Sequence, residues 1–134
     1  MATVAKEWRE IPARYNLEGS ECGNCNRKYF PKRSMCPFCR RNGFGKMHPY
    51  QVSRKGKVFT FSVIHEAPDC NRSLKPYAVA MVRTDDGLLI SGQLVDVDLS
   101  KIEIGMRVRS VLRKLDEDGA SGVIHYGFKF VPDL

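Results

Sequence analysis

The sequence predicts a mainly β fold in three parts: a short N-terminal helix, a small ribbon held by cysteines, and a C-terminal five-stranded OB-fold barrel. Three observations carry this reading. Four cysteines fall as two C-x-x-C pairs, Cys22/Cys25 and Cys36/Cys39, ten residues apart. From residue 57 onward, runs of branched and aromatic residues alternate with turn residues, the mark of successive strands. Only residues 4–11 show a helical apolar spacing, with Val4, Trp8 and Ile11 at i, i+4 and i+7.

The helix is short and ends at Pro12, because proline lacks the N–H that the next turn needs. A helix of under about ten residues is marginal by itself. It therefore docks on its own domain or on another subunit, and Trp8, the single tryptophan, is the natural anchor. Residues 14–19 alternate and read as a strand entering the first C-x-x-C turn. Residues 28–31 read as a strand between the two turns, and 42–45 as a turn after the second. Strands then follow at 58–64, 77–83 and 88–95, with Asp85-Asp86-Gly87 as a hairpin signal between the last two. Residues 98–106 form a connector with a single helical turn, and strands at 107–113 and 123–130 close the set. Five strands with a hairpin in the middle and a connector before the fourth fit an OB-fold, with an SH3-like barrel as the alternative. Three segments result: 1–19, the helix and entry strand; 20–46, the ribbon; and 47–134, the barrel.

The paired cysteine spacing has a chemical reason. Two residues between thiols let both sulfurs of a tight turn face one centre, and two such turns supply four thiolates at tetrahedral positions. Gly23 and Pro37, after the first cysteine of each pair, suit tight knuckles. Two disulfides would need an oxidising compartment, and the N-terminus lacks the apolar core of a secretion signal, so a cytoplasmic location is expected. A redox C-x-x-C needs one pair beside a βαβ pattern, which is not seen. Cys22, Cys25, Cys36 and Cys39 are thus expected to ligate one metal ion. Zinc is favoured, and iron uses the same ligands. Four thiolates leave no open position, so the site is expected to be structural. The fifth cysteine, Cys70, reads as a loop thiol.

Composition and charge narrow the function. The 134 residues are 43% hydrophobic and 28% charged, which suits a globular protein rather than a disordered one. No apolar run reaches the roughly 20 residues of a membrane span. The net charge of +7 is uneven: residues 21–57 hold ten basic groups against Glu21, a local +9, and residues 58–134 sum to −2. A polyanionic or acidic partner should meet the basic block first. Part of that charge balances the metal centre itself, which carries −2 with four thiolates on a divalent ion; Arg27, Lys28, Arg40 and Arg41 suit this role.

The motifs Trp8-Arg9, Tyr15-x-Leu17-x-Gly19-x-x-Cys22-x-x-Cys25, Tyr29-Phe30-Pro31 and Cys36-Pro37-x-Cys39 resemble the rubredoxin-like zinc-ribbon half of the acyl-CoA-associated zinc-ribbon/OB-fold family. Gly56-Lys57-Val58, Pro76-Tyr77-Ala78-Val79-Ala80 and Ile104-Gly105-Met106-Arg107-Val108 are similar to its OB half. The resemblance implies a non-catalytic partner of thiolase-fold enzymes. A short chain without a fused enzyme domain is similar to the archaeal type, which bridges acetoacetyl-CoA thiolase and hydroxymethylglutaryl-CoA synthase and hands on acetoacetyl-CoA in the mevalonate route. On that reading Trp8, Lys28, Lys32, Arg33, Arg54 and Lys55 are candidate contacts for a partner or for the phosphates of coenzyme A, against the plainer reading of a solvated basic face. Tyr29 and Phe30 are expected to pack on the knuckles.

Two other classes compete. A single-stranded nucleic-acid binder of this fold would carry stacking aromatics on its second and third barrel strands. Here those strands hold Tyr77 and Arg83 alone, and the aromatics sit on the first and last strands. An enzyme would need a catalytic constellation. His48, His65 and His125 stand apart from any nucleophile or carboxylate motif, and no nucleophile elbow, P-loop or dinucleotide fingerprint is present.

Overall fold

The structure, a computed structural model, describes residues 3–133, with the side chains of residues 70 and 71 outside the description. The Cys70 thiol, read above as a loop thiol, therefore lies outside the description. The chain divides after Ser53 into two compact units.

The first unit opens with two helices where the sequence predicts one. α1 (Val4–Arg9) is capped by the Thr3 side chain, which accepts from the Lys6 N–H, and α2 (Ile11–Asn16) follows at once. Pro12 sits in the first turn of α2. Proline is tolerated there because its missing N–H would be unpaired anyway, so it starts a helix as well as ending one. Arg14 ties the pair together through Glu7 at 2.7 Å and Glu10 at 2.8 Å. The predicted strand at 14–19 is corrected accordingly: residues 14–16 are helical. Leu17, buried and in the left-handed region (φ 54°), turns the chain into β1 (Glu18–Cys22).

β1 is the centre of a three-stranded antiparallel sheet. β2 (Lys28–Tyr29) flanks one side, and β3 (Met47–Gln51) the other, with Cys22 opposite Met47. The sequence reading opens the barrel at residue 47 and sees no strand there. Pairing of β3 with β1 places these residues in the ribbon sheet instead. Pro49 breaks the strand signal but is accommodated because β3 is an edge strand.

The second unit is a closed barrel of β4 (Lys55–Ile64), β5 (Tyr77–Thr84), β6 (Leu89–Leu94), β7 (Arg107–Glu117) and β8 (Ile124–Pro132), in the order β4-β5-β6-β8-β7. β4 closes the ring by pairing with both β5 and β7, and β6 meets β8 in parallel at Leu94 and Phe130. This is OB topology rather than an SH3-like arrangement. The hairpin turns at Gly87 (φ 88°), whose N–H donates to Thr84 O. A 3-10 turn at Leu99–Lys101 is the predicted connector. The core lies along the inward faces of the strands, with Val58, Ala80, Val82, Val108 and Phe130 each at most 1% exposed. Gly92 is required beside that core, because a Cβ there would stand 2.7 Å from the Phe130 ring. No helix among the described residues is long and apolar enough to cross a membrane.

Candidate metal centre and interaction surface

The two C-x-x-C turns approach each other at one end of the ribbon sheet. In the first, Asn26 N donates to Cys22 O and Cys22 N to Arg27 O. In the second, Arg40 N donates to Cys36 O. The left-handed residues that close these turns are Asn26 (φ 59°) and Arg40 (φ 52°), one past the second cysteine of each pair, rather than Gly23. The 3-10 turn Arg40–Gly43 then folds back over the centre. Gly43 permits that approach: a Cβ there would lie 2.9 Å from Cys39 Cβ and 3.4 Å from Cys22 Sγ.

The four Sγ atoms lie within 4.8 Å of one another, Cys22 and Cys36 buried, Cys25 and Cys39 half-buried. Cys22 and Cys39 sulfurs are 3.9 Å apart, and those of Cys25 and Cys36 3.6 Å. A tetrahedral ion with M–S bonds of about 2.3 Å needs sulfurs about 3.8 Å apart, whereas a disulfide needs about 2.05 Å. The donor set therefore fits a single four-coordinate ion and not two disulfides. Hydrogen bonds hold the sulfurs: Asn24 Nδ2 donates to Cys39 Sγ at 3.2 Å, Cys39 N to Cys36 Sγ at 3.5 Å, and the Tyr29 hydroxyl lies 3.2 Å from Cys36 Sγ. Tyr29 thus packs on the knuckle against one of the four thiols. Its hydroxyl and nearby backbone N–H groups draw the Cys36 thiol down to about 6, while burial pushes Cys25 up to about 12. The backbone N–H of Cys25 lowers Cys22. An ion binds the deprotonated sulfurs, so loading would release the proton that burial holds on Cys25.

The other candidate residues are scattered. Trp8 is 72% exposed on α1, with Val4 exposed one turn away. The Lys28 ammonium lies over the Tyr50 ring at 4.6 Å. Lys32 and Arg33 share a small pocket with Ser34 and His48, and the Arg33 guanidinium also lies 5.3 Å from the Tyr29 ring centre. Arg54 and Lys55 belong to the second unit, where Lys55 pairs with Asp133 at 3.2 Å. Arg83 stacks on the Phe59 ring of the neighbouring strand at 4.5 Å. His48 faces Glu21 at 3.8 Å, and His125 faces Asp118 at 3.1 Å.

A four-cysteine ribbon followed by a closed barrel of this strand order defines a zinc-ribbon/OB-fold protein. Residues 9–44 match the ChsH2 rubredoxin-like zinc ribbon domain, and residues 49–113 match the ChsH2 C-terminal OB-fold domain. The chain belongs to the family of DUF35 domain-containing scaffold proteins. It is 45% identical over 132 residues to such a scaffold protein of Methanothermobacter thermautotrophicus, covering 98% of each chain. It is 44% identical to one of Methanocaldococcus jannaschii, over 96% of this chain and 90% of that one. A probable enoyl-CoA hydratase alpha subunit of Thermomonospora curvata is 31% identical over 83% of this chain, which spans 33% of that longer protein. Among solved structures, the Ltp2-ChsH2(DUF35) aldolase superposes with a TM-score of 0.69 at 25% identity, over 86% of this chain and 83% of that one.

Proposed function

We propose that this chain is a non-catalytic scaffold subunit that bridges acetoacetyl-CoA thiolase and hydroxymethylglutaryl-CoA synthase, so that acetoacetyl-CoA passes between them in the mevalonate route. The observation that carries the reading is the near end-to-end identity with proteins named scaffolds, at 45% and 44%. The acyl-CoA connection is supported by the hydratase subunit whose name carries it. Zinc is the ion proposed for the four cysteines, and its role is to hold the ribbon, since a closed thiolate shell leaves no place for substrate. Exposed Trp8 and the basic residues Lys28, Lys32 and Arg33 supply contacts for enzyme surfaces or for coenzyme A phosphates. Cytoplasmic location is part of the same proposal.

The test is reconstitution from three purified proteins of one source, followed by size-exclusion chromatography with light scattering. The expected result is one species containing all three polypeptides, from which the two enzymes separate when this chain is left out. Elution of the chain at 15.2 kDa with both enzymes unshifted would overturn the proposal.

A further inference from the structure

The second knuckle carries a surface that its role as a metal clamp does not require. Met35, Pro37, Arg40, Arg41 and Phe44 line a groove of about 640 Å³ with an apolar floor. Phe44 is 80% exposed and Met35 52%. Phe38, on the same knuckle, is 64% exposed with the Arg27 guanidinium stacked on its ring at 3.8 Å. Large apolar side chains normally leave water where they can, and a cluster of them rimmed by cations has the composition of a binding hot spot: aromatic, methionine and arginine.

The arginines say what the groove takes. Several other basic residues are engaged: Lys28 on Tyr50, Arg33 on Tyr29, Lys55 with Asp133, Arg107 with Asp85. Arg40 and Arg41 have no carboxylate partner among the described residues. They stand in the block whose net charge is +9. The groove is also prearranged. Its lining residues interleave with Cys36 and Cys39, and Gly43 lets the 3-10 turn sit against the cysteines, so ordering it costs little on binding.

We propose that this groove docks an acidic, amphipathic segment of a partner enzyme: one apolar side chain enters between Met35 and Phe44, and carboxylates flanking it pair with Arg40 and Arg41. The inference rests on the scaffold reading and adds the face and the chemistry of the contact. A nucleic-acid strand fits less well, because it needs a cationic track with stacking platforms rather than two cations beside an apolar floor.

The experiment measures the affinity of the full chain for purified thiolase and, separately, purified synthase by biolayer interferometry. Compared are the wild type, a Met35→Ser/Phe44→Ser pair, an Arg40→Glu/Arg41→Glu pair, and Ile104→Ser as a control, exposed on the barrel unit. Metal content and far-ultraviolet circular dichroism are recorded for each. The expected result is a loss of about tenfold or more toward one of the two enzymes in both groove variants, with metal content intact in the Met35→Ser/Phe44→Ser pair and Ile104→Ser unchanged. Increasing salt should weaken the wild type toward that enzyme more than it weakens the Glu pair. Groove variants that bind both enzymes like wild type overturn this inference and leave the scaffold reading standing. Wild type that binds neither enzyme overturns both. Capture of a single-stranded oligonucleotide through Arg40 and Arg41, with the enzymes ignored, also overturns it.

Discussion

In the ribbon unit, Leu17, Val52, Cys22 and Cys36 are the fully buried apolar residues among those described. In the barrel unit six reach the same degree of burial (Val58, Ala78, Ala80, Val82, Val108 and Phe130), and Ile90, Leu94, Ile102 and Val131 are buried nearly as far. The sheets differ as well. The ribbon has three short strands, one of two residues, while the barrel strands pair around a complete ring. A unit of about 50 residues with so small a core falls short of the burial that folding needs, and small units of this kind draw on a metal. The barrel buries enough side chains to stand on the hydrophobic effect. The ion proposed for the four cysteines would meet the first unit's need by coordination, and packing meets the second's. On the second knuckle the cysteines face inward, leaving Met35, Phe38 and Phe44 outside.

This contrast can be broken most severely at a ligand. Cys36→Ser should drop the metal:protein ratio from one to near zero and remove metal-binding free energy on the order of 10–16 kcal/mol from the ribbon. The barrel's β signal should remain. Measured metal content equal to wild type would erase the contrast at its root. Next in size is the converse change. Phe130 is 1% exposed and meets Phe128 edge-on at 5.7 Å. Phe130→Ala should cost the barrel about 3–5 kcal/mol in denaturant unfolding while the metal ratio stays at one. Metal loss in that variant would show that the two units fail together. The smallest effect sharpens the account of the barrel. Lys129 is 7% exposed, and burial, with Arg113 nearby, lowers its ammonium below the usual lysine range. The unfolded chain then holds the proton more tightly than the folded one, so stability rises with pH through the folded value. Lys129→Met should melt slightly higher than wild type at neutral pH, and its advantage should shrink as the solution is made alkaline.

Much of this was legible from residue order. The barrel strands announce themselves because one face is buried and the side chains alternate, as in Arg107-Val108-Arg109, and because Asp86-Gly87 marks the hairpin. The four ligands are legible because a metal knuckle is local: its geometry fixes a spacing. β3 was hidden because His48-Pro49-Tyr50 lacks both alternation and branched residues, and its place is set by pairing with β1. The second helix was hidden because Pro12 reads equally as a stop and as a first-turn residue. The groove at the second knuckle has no periodicity at all. Met35, Pro37, Arg40, Arg41 and Phe44 converge only because the cysteines between them are drawn inward.

The central claim is that coordination holds the ribbon and burial holds the barrel, and a ¹H–¹⁵N correlation spectrum of Cys36→Ser beside wild type tests it most directly. The account predicts that amides of residues 18–52 collapse to the narrow range of an unfolded chain while those of residues 55–132 keep their wild-type positions. A spectrum in which both sets collapse, or in which residues 18–52 stay dispersed without metal, would contradict it.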